Sequence, residues 1–123
     1  LQMSTQLFLG RARWSPDAFR GVVNSPHDRT QPVRRALAVF GIELMEMLYS
    51  PTKGEMIVLV KGEFGAMNAY NMAVQATGNF GDTSFEPVQN MQQMLGTMEF
   101  ANERSHAFEP PSRDEIDRML LEE

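Results

Sequence analysis

Residues 42–49 carry apolar side chains at positions that alternate to opposite sides of an extended chain. Ile42, Leu44 and Leu48 fall on one side, and Met45, Met47 and Tyr49 on the other. A strand that is apolar on both sides belongs to a sheet covered on both sides. One layer of helices covers only one of them. Whatever this chain folds into must therefore supply a second cover.

The remaining punctuation sets the elements around that strand. Ser50-Pro51-Thr52-Lys53-Gly54 is a turn, so residues 42–49 and 56–61 form a hairpin. Residues 6–14 read as a strand. Ser15-Pro16-Asp17 then supplies an N-cap, a first-turn proline and an acid, opening a short helix through Phe19, Val22 and Val23. A second helix is expected to begin at Gln31 or Pro32, because proline is tolerated only in a first turn, and to end at Gly41. Its apolar positions 33, 36, 37 and 40 lie on one face. Residues 64–77 read as a helix with Met67, Tyr70 and Val74 facing inward and Met72 as a further candidate, stopped by Gly78. Residues 83–86 read as a short last strand. The order β-α-β-β-α-β predicts an α+β, ferredoxin-like sheet. With its helices on one side, the other face is bare, so a second copy is expected to cover it through Met45, Met47 and Tyr49.

Pro87 reads as the start of another helix, with Val88, Met91, Met94, Leu95 and Met98 on one stripe. The chain turns polar over 102–106 and extended at Glu109-Pro110-Pro111. Ser112 to Glu115 then fit a capping box. Ile116, Met119 and Leu120 follow as a narrow apolar stripe on a helix too short to be stable alone, so this tail is expected to dock on its own body or on another protein. The expected division is a body over 1–101 and a linker with a docking helix over 102–123.

Composition removes whole classes of function. The 123 residues are 42% hydrophobic and 22% charged, which fits one globular body. No apolar run approaches the roughly 20 residues of a membrane span. Absence of cysteine excludes disulfides, thiol nucleophiles and cysteine-held metal. A net charge of -5 argues against nucleic acid. With no basic-then-apolar opening segment, a cytoplasmic location is expected. The charge is polarised, with a net +4 over residues 1–40 and a net -4 over 103–123.

Chemistry-bearing patterns are sparse. His27 and His106 stand in polar stretches without a ligand partner at helical spacing. The glycines match neither a phosphate loop nor a dinucleotide turn, and no nucleophile elbow is present. No catalytic residue, metal ligand or cofactor is expected. Arg11 and Arg13 share one face of their strand, and Glu43 lies on a neighbouring one. Together they are candidates for an ion pair or an anion-binding pocket at the edge of the interface. The ten methionines suit adaptable packing of core and interface.

Residues 6–87 resemble the GYD-domain family of small bacterial and archaeal proteins. The likeness lies in Trp14-Ser15-Pro16, Asn24-Ser25-Pro26, Arg34-Arg35-Ala36-Leu37 before Gly41, the stretch Gly54 to Val60, and Ala76 to Thr83. The eponymous Gly-Tyr-Asp falls on Gly54-Glu55-Met56, so only the glycine is kept. The resemblance implies a dimeric α/β barrel with two sheets face to face, and it brings no assigned reaction. The expected function is a non-catalytic, homo-oligomeric accessory or interaction protein. The alternatives are a small cofactor-independent monooxygenase- or isomerase-like enzyme, or a small-molecule sensor.

Overall fold

Phe8, Leu37 and Val60 have no exposed surface and mark the centre of the core. In the computed structural model, which describes residues 5–109 and 118–121, each comes from a different element. The elements run β1 (Gln6–Trp14), α1 (Pro16–Asn24), α2 (Thr30–Val39), β2 (Glu43–Ser50), β3 (Glu55–Gly62), α3 (Phe64–Ala76), β4 (Phe80–Val88) and α4 (Met91–Arg104), then a 3-10 turn, Ser105–Ala107. The strands form one antiparallel sheet in the order β2-β3-β1-β4. This α+β arrangement is compatible with a ferredoxin-like fold.

Local chemistry fixes most boundaries. The Ser15 hydroxyl accepts from Ala18 N at 3.2 Å, with Pro16 at the first helical position, and so starts α1. α2 begins at Thr30, slightly ahead of the expected start. Asp28 Oδ1 accepts from Thr30 N at 2.8 Å, and Pro32 still falls within the first turn, where its missing N–H costs nothing. Gly41, Gly54 and Gly78 take positive φ angles of 73°, 66° and 73°, closing α2, the hairpin and α3. The turn of α3 toward the sheet buries Met67 and partly buries Tyr70 and Val74, while Met72 stays exposed.

Two expectations are corrected. Pro87 does not open a helix. It lies in β4 opposite Phe8, and β4 is an edge strand, where a residue without an N–H is tolerated. β4 is accordingly longer than the four residues expected. The helix that follows starts instead from Asn90, whose side chain accepts from Gln93 N at 2.7 Å while Gln93 Oε1 accepts from Asn90 N at 2.9 Å. The second correction concerns β2. Its register with β3 shifts between Leu44 and Glu46, leaving Met45 as an extra residue. Leu44 and Met47 therefore lie on the same face, opposite Val60 and Val58. Met45, Met47 and Tyr49 do not form one row.

The core cluster joins Phe8, Leu44 and Val60 of the sheet to Leu37 of α2 and Met67 of α3, with Ile42 beside them. Phe85 of β4 and Tyr70 of α3 pack around it. Trp14 and Phe19 bring α1 to the same side of the sheet. The chain falls into two units, Leu1–Gln89 and Asn90–Glu123. Within the second unit Met91, Met94, Leu95 and Met98 are exposed, and the Arg104 guanidinium lies over the Phe100 ring at 3.7 Å. Residues 118–121 are helical, with Met119 and Leu120 exposed; Ile116 and the capping box at Ser112 lie outside the described residues.

Gly10 is a tight point of the sheet. A Cβ there would stand 2.9 Å from Val58 Cγ2 and 3.4 Å from Met67 Cε, whereas one at Gly21 in α1 meets nothing within 4 Å. Gly10→Ala is expected to destabilise by about 1–3 kcal/mol. Gly21→Ala should leave stability unchanged or raise it by about 0.5–1 kcal/mol. Urea unfolding of the two variants checks both.

Candidate functional site

The sheet has a helix-covered face and a second face that no helix of the first unit covers among the described residues. Alternation places Leu7, Leu9, Arg11 and Arg13 of β1 on this second face. Pairing brings Glu55, Ile57, Leu59 and Lys61 of β3 beside them. The rows are explicit in the register. Leu9 stands between Leu59 and Glu86, and Leu59 faces Glu46 on its other side. Ile57 stands between Arg11 and Leu48, and Leu7 between Lys61 and Val88. The centre is apolar and half-buried, and charges ring it. That is the layout of a contact patch with a dry middle and a wet edge.

At one end of this face the strands gather an ion cluster. Arg11 Nη1 lies 3.5 Å from Glu55 Oε2, Arg13 Nη2 lies 3.7 Å from Glu55 Oε1, and Arg13 Nη1 lies 3.8 Å from Asp82 Oδ2. Arg13 Nη2 also donates to Lys53 O at 2.9 Å, tying the hairpin turn to β1. Glu55 Oε2 is buried without a hydrogen bond among the described residues. The expected partner was Glu43, and the structure does not bring it there. Glu43 sits at the far end of β2 opposite Lys61, with β3 lying between β1 and β2. The acid that does meet the arginines was overlooked, although the signal was present. In an interleaved β-α-β sheet β1 lies beside β3, and Glu55 is the first residue after the hairpin turn.

The other interface candidates separate. Met47 packs against the core cluster and Tyr49 lies 6.3 Å from the Trp14 ring, both on the helix side. Met45 is half-exposed at the bulge. Leu48, which the sequence reading assigned to the inner face, stands opposite Ile57 on the uncovered face.

The helix side holds a cavity of about 60 Å³ between the sheet and α2 and α3, bordered by Val33, Met56, Met67, Tyr70, Asn71 and Thr83 among others. It has room for a few waters or a small organic fragment. Thr83 Oγ1 is buried there without a hydrogen-bond partner among the described residues. Burial also pushes the Tyr70 phenol above its ordinary value of 10.0, because the phenolate would lose its water. Among the described residues no group of three acids or histidines could hold a metal ion, and no helix is long and apolar enough to cross a membrane. Comparison with protein-family models, curated proteins and solved structures gives no match.

The unpaired hydroxyl leads to a direct expectation. Thr83→Val removes a buried polar atom with no partner, so stability should hold or rise by about 1 kcal/mol in chemical denaturation. A clear loss instead would show that Thr83 has a partner, such as an ordered water. Tyr70 sets a separate pH dependence. The unfolded chain releases this proton first, so the contribution of Tyr70 is nil below 10.0 and folding stability falls as pH rises beyond it. Tyr70→Phe should remove that alkaline loss and the late phase of phenolate absorbance.

Proposed function

We propose that this chain is a non-catalytic, self-associating accessory protein of the cytoplasm, related to the GYD-domain family, whose uncovered sheet face packs on a second copy to form a dimeric α/β barrel. The observation that carries this reading is the apolar middle of that face, Leu7, Leu9, Ile57 and Leu59 with Leu48 and Val88, ringed by Glu46, Glu86, Lys61 and Arg11. Burying a Leu or Ile fully is worth about 1.5–3 kcal/mol. Six such side chains from each copy, most already half-buried, offset an association cost of roughly 4–15 kcal/mol. The exposed stripe of α4, together with Met119 and Leu120, supports the second half of the reading, in which the C-terminal unit docks on itself or on a larger protein assembly.

A second reading rests on the Thr83 hydroxyl. An unpartnered donor in a largely apolar cavity beside Tyr70 and Asn71 is what a small-molecule site presents before it is filled. That reading covers a small cofactor-independent monooxygenase- or isomerase-like enzyme, or a sensor.

Light scattering after size exclusion tests the first reading. The wild-type chain is expected to run as a dimer or larger at micromolar concentration. Leu9→Asp with Leu59→Asp, which sets two charges in the middle of the face, should give a monomer with unchanged circular dichroism. A monodisperse wild-type monomer overturns the reading.

A further inference from the structure

The end of the sheet under α1 forms an aromatic cleft. The Trp14 ring lies 6.1 Å from Phe19 and 6.3 Å from Tyr49, centre to centre, and the three line one wall. Two recesses of about 280 and 390 Å³ meet here and share Trp14, Val22, His27 and Arg29. The larger is within the span of about 300–1,000 Å³ typical of small-molecule sites. Phe19 and Tyr49 leave more than two-fifths of their surface in water, at 43% and 44%. That much ring surface beside a recess is a platform on which a flat ring can stack.

The polar side of the cleft is organised around one guanidinium. His27 Nδ1 lies 2.7 Å from Ser25 O and donates to it, since a carbonyl can only accept. The neutral ring then presents Nε2 as an acceptor, and Arg29 Nη1 donates to it at 3.1 Å. Arg29 is thereby steered at the cleft by a neutral partner, and no carboxylate pairs with it among the described residues. The acid bordering the cleft, Asp28, is engaged by the first residue of α2. Its carboxylate accepts from Thr30 N at 2.8 Å, and the Thr30 hydrogen bonds hold its pKa below the usual 3.8.

We propose that this cleft binds a small planar aromatic carboxylate, its ring on the Trp14–Phe19–Tyr49 wall and its carboxylate on the Arg29 guanidinium. The planar fork of an arginine matches a carboxylate in two parallel hydrogen bonds. Ring stacking supplies the remaining contact and favours flat ligands over aliphatic acids of similar size. The aromatic wall and Arg29 lie on the helix side of the sheet, and the recess meets the uncovered face at Leu48.

Trp14 is the single tryptophan of the chain, so its indole N–H resonance reports on this cleft alone. The test titrates the full chain with benzoate and with benzamide, its neutral counterpart. The indole signal should shift saturably with benzoate, and benzamide should bind about tenfold or more weakly, as expected when a charge-assisted pair is lost. Arg29→Gln should bring benzoate down to the affinity of benzamide, while Arg35→Gln, on α2 but not bordering the cleft, leaves the preference intact. Tyr49→Ala should weaken both ligands. Equal binding of the two probes by the wild-type chain, no saturable shift with either, or an Arg29→Gln variant that keeps the preference would each overturn the proposal.

Discussion

One extra residue in an edge strand decides how the two faces of this sheet are composed. Met45 is inserted between Leu44 and Glu46, and the parity of β2 changes there. Without the insertion, Met47 and Tyr49 would point away from the helices and Leu48 would point into the core. With it, Met47 joins the core cluster, Tyr49 reaches Trp14, and Leu48 moves to the uncovered face. A bulge leaves backbone groups short of partners, and here α2 provides one. Arg34 Nη1 donates to Leu44 O at 3.2 Å. The helix thereby ties down the strand irregularity over which it packs.

The edges of the sheet favour association through the face rather than side by side. β2 carries the bulge, and β4, the other edge, carries Pro87 and Gly81. Each interrupts the regular row of donors and acceptors that an added strand would need. The middle of the uncovered face, in contrast, is built from the two central strands and is regular over the paired stretch Gln6 to Ala12. Its ion cluster is balanced, two arginines against Glu55 and Asp82, so it does not repel a copy of itself.

Local punctuation was legible in the sequence; nonlocal register was not. Ser15-Pro16, Gly41, Gly54 and Gly78 each mark a boundary by a backbone requirement that only a few residues meet, and the elements begin and end beside them. Pro87 was misread because proline fits both a helix start and an edge strand, and only strand order separates the two. The bulge at Met45 is marked by neither glycine nor proline, so strict alternation was the natural reading and it misassigned Met47, Leu48 and Tyr49. The same gap explains Glu43. Which acid meets Arg11 and Arg13 depends on which strand lies next to β1, and that follows from the topology rather than from spacing along the chain. The charged pair was anticipated by residue type and found with a different partner.

The uncovered face and the aromatic cleft adjoin along β2 and β1. Tyr49 contributes a ring to the aromatic cleft, and its neighbour Leu48 lies on the uncovered face while also bordering that cleft. The same holds along β1, where Phe8 and Gly10 face the core while Leu7, Leu9 and Arg11 face outward, and Trp14 ends the strand in the cleft. Sheets transmit position along strands far more stiffly than loops do, because each residue is held by pairing on both sides in the interior. β2 and β4 are edge strands, paired on one side only. At the cleft itself both walls are paired on one side, Trp14 with Phe80 of β4 and Tyr49 with Met56 of β3. What joins the two walls is ring contact, Trp14 against Phe19 of α1 on one side and Tyr49 of β2 on the other.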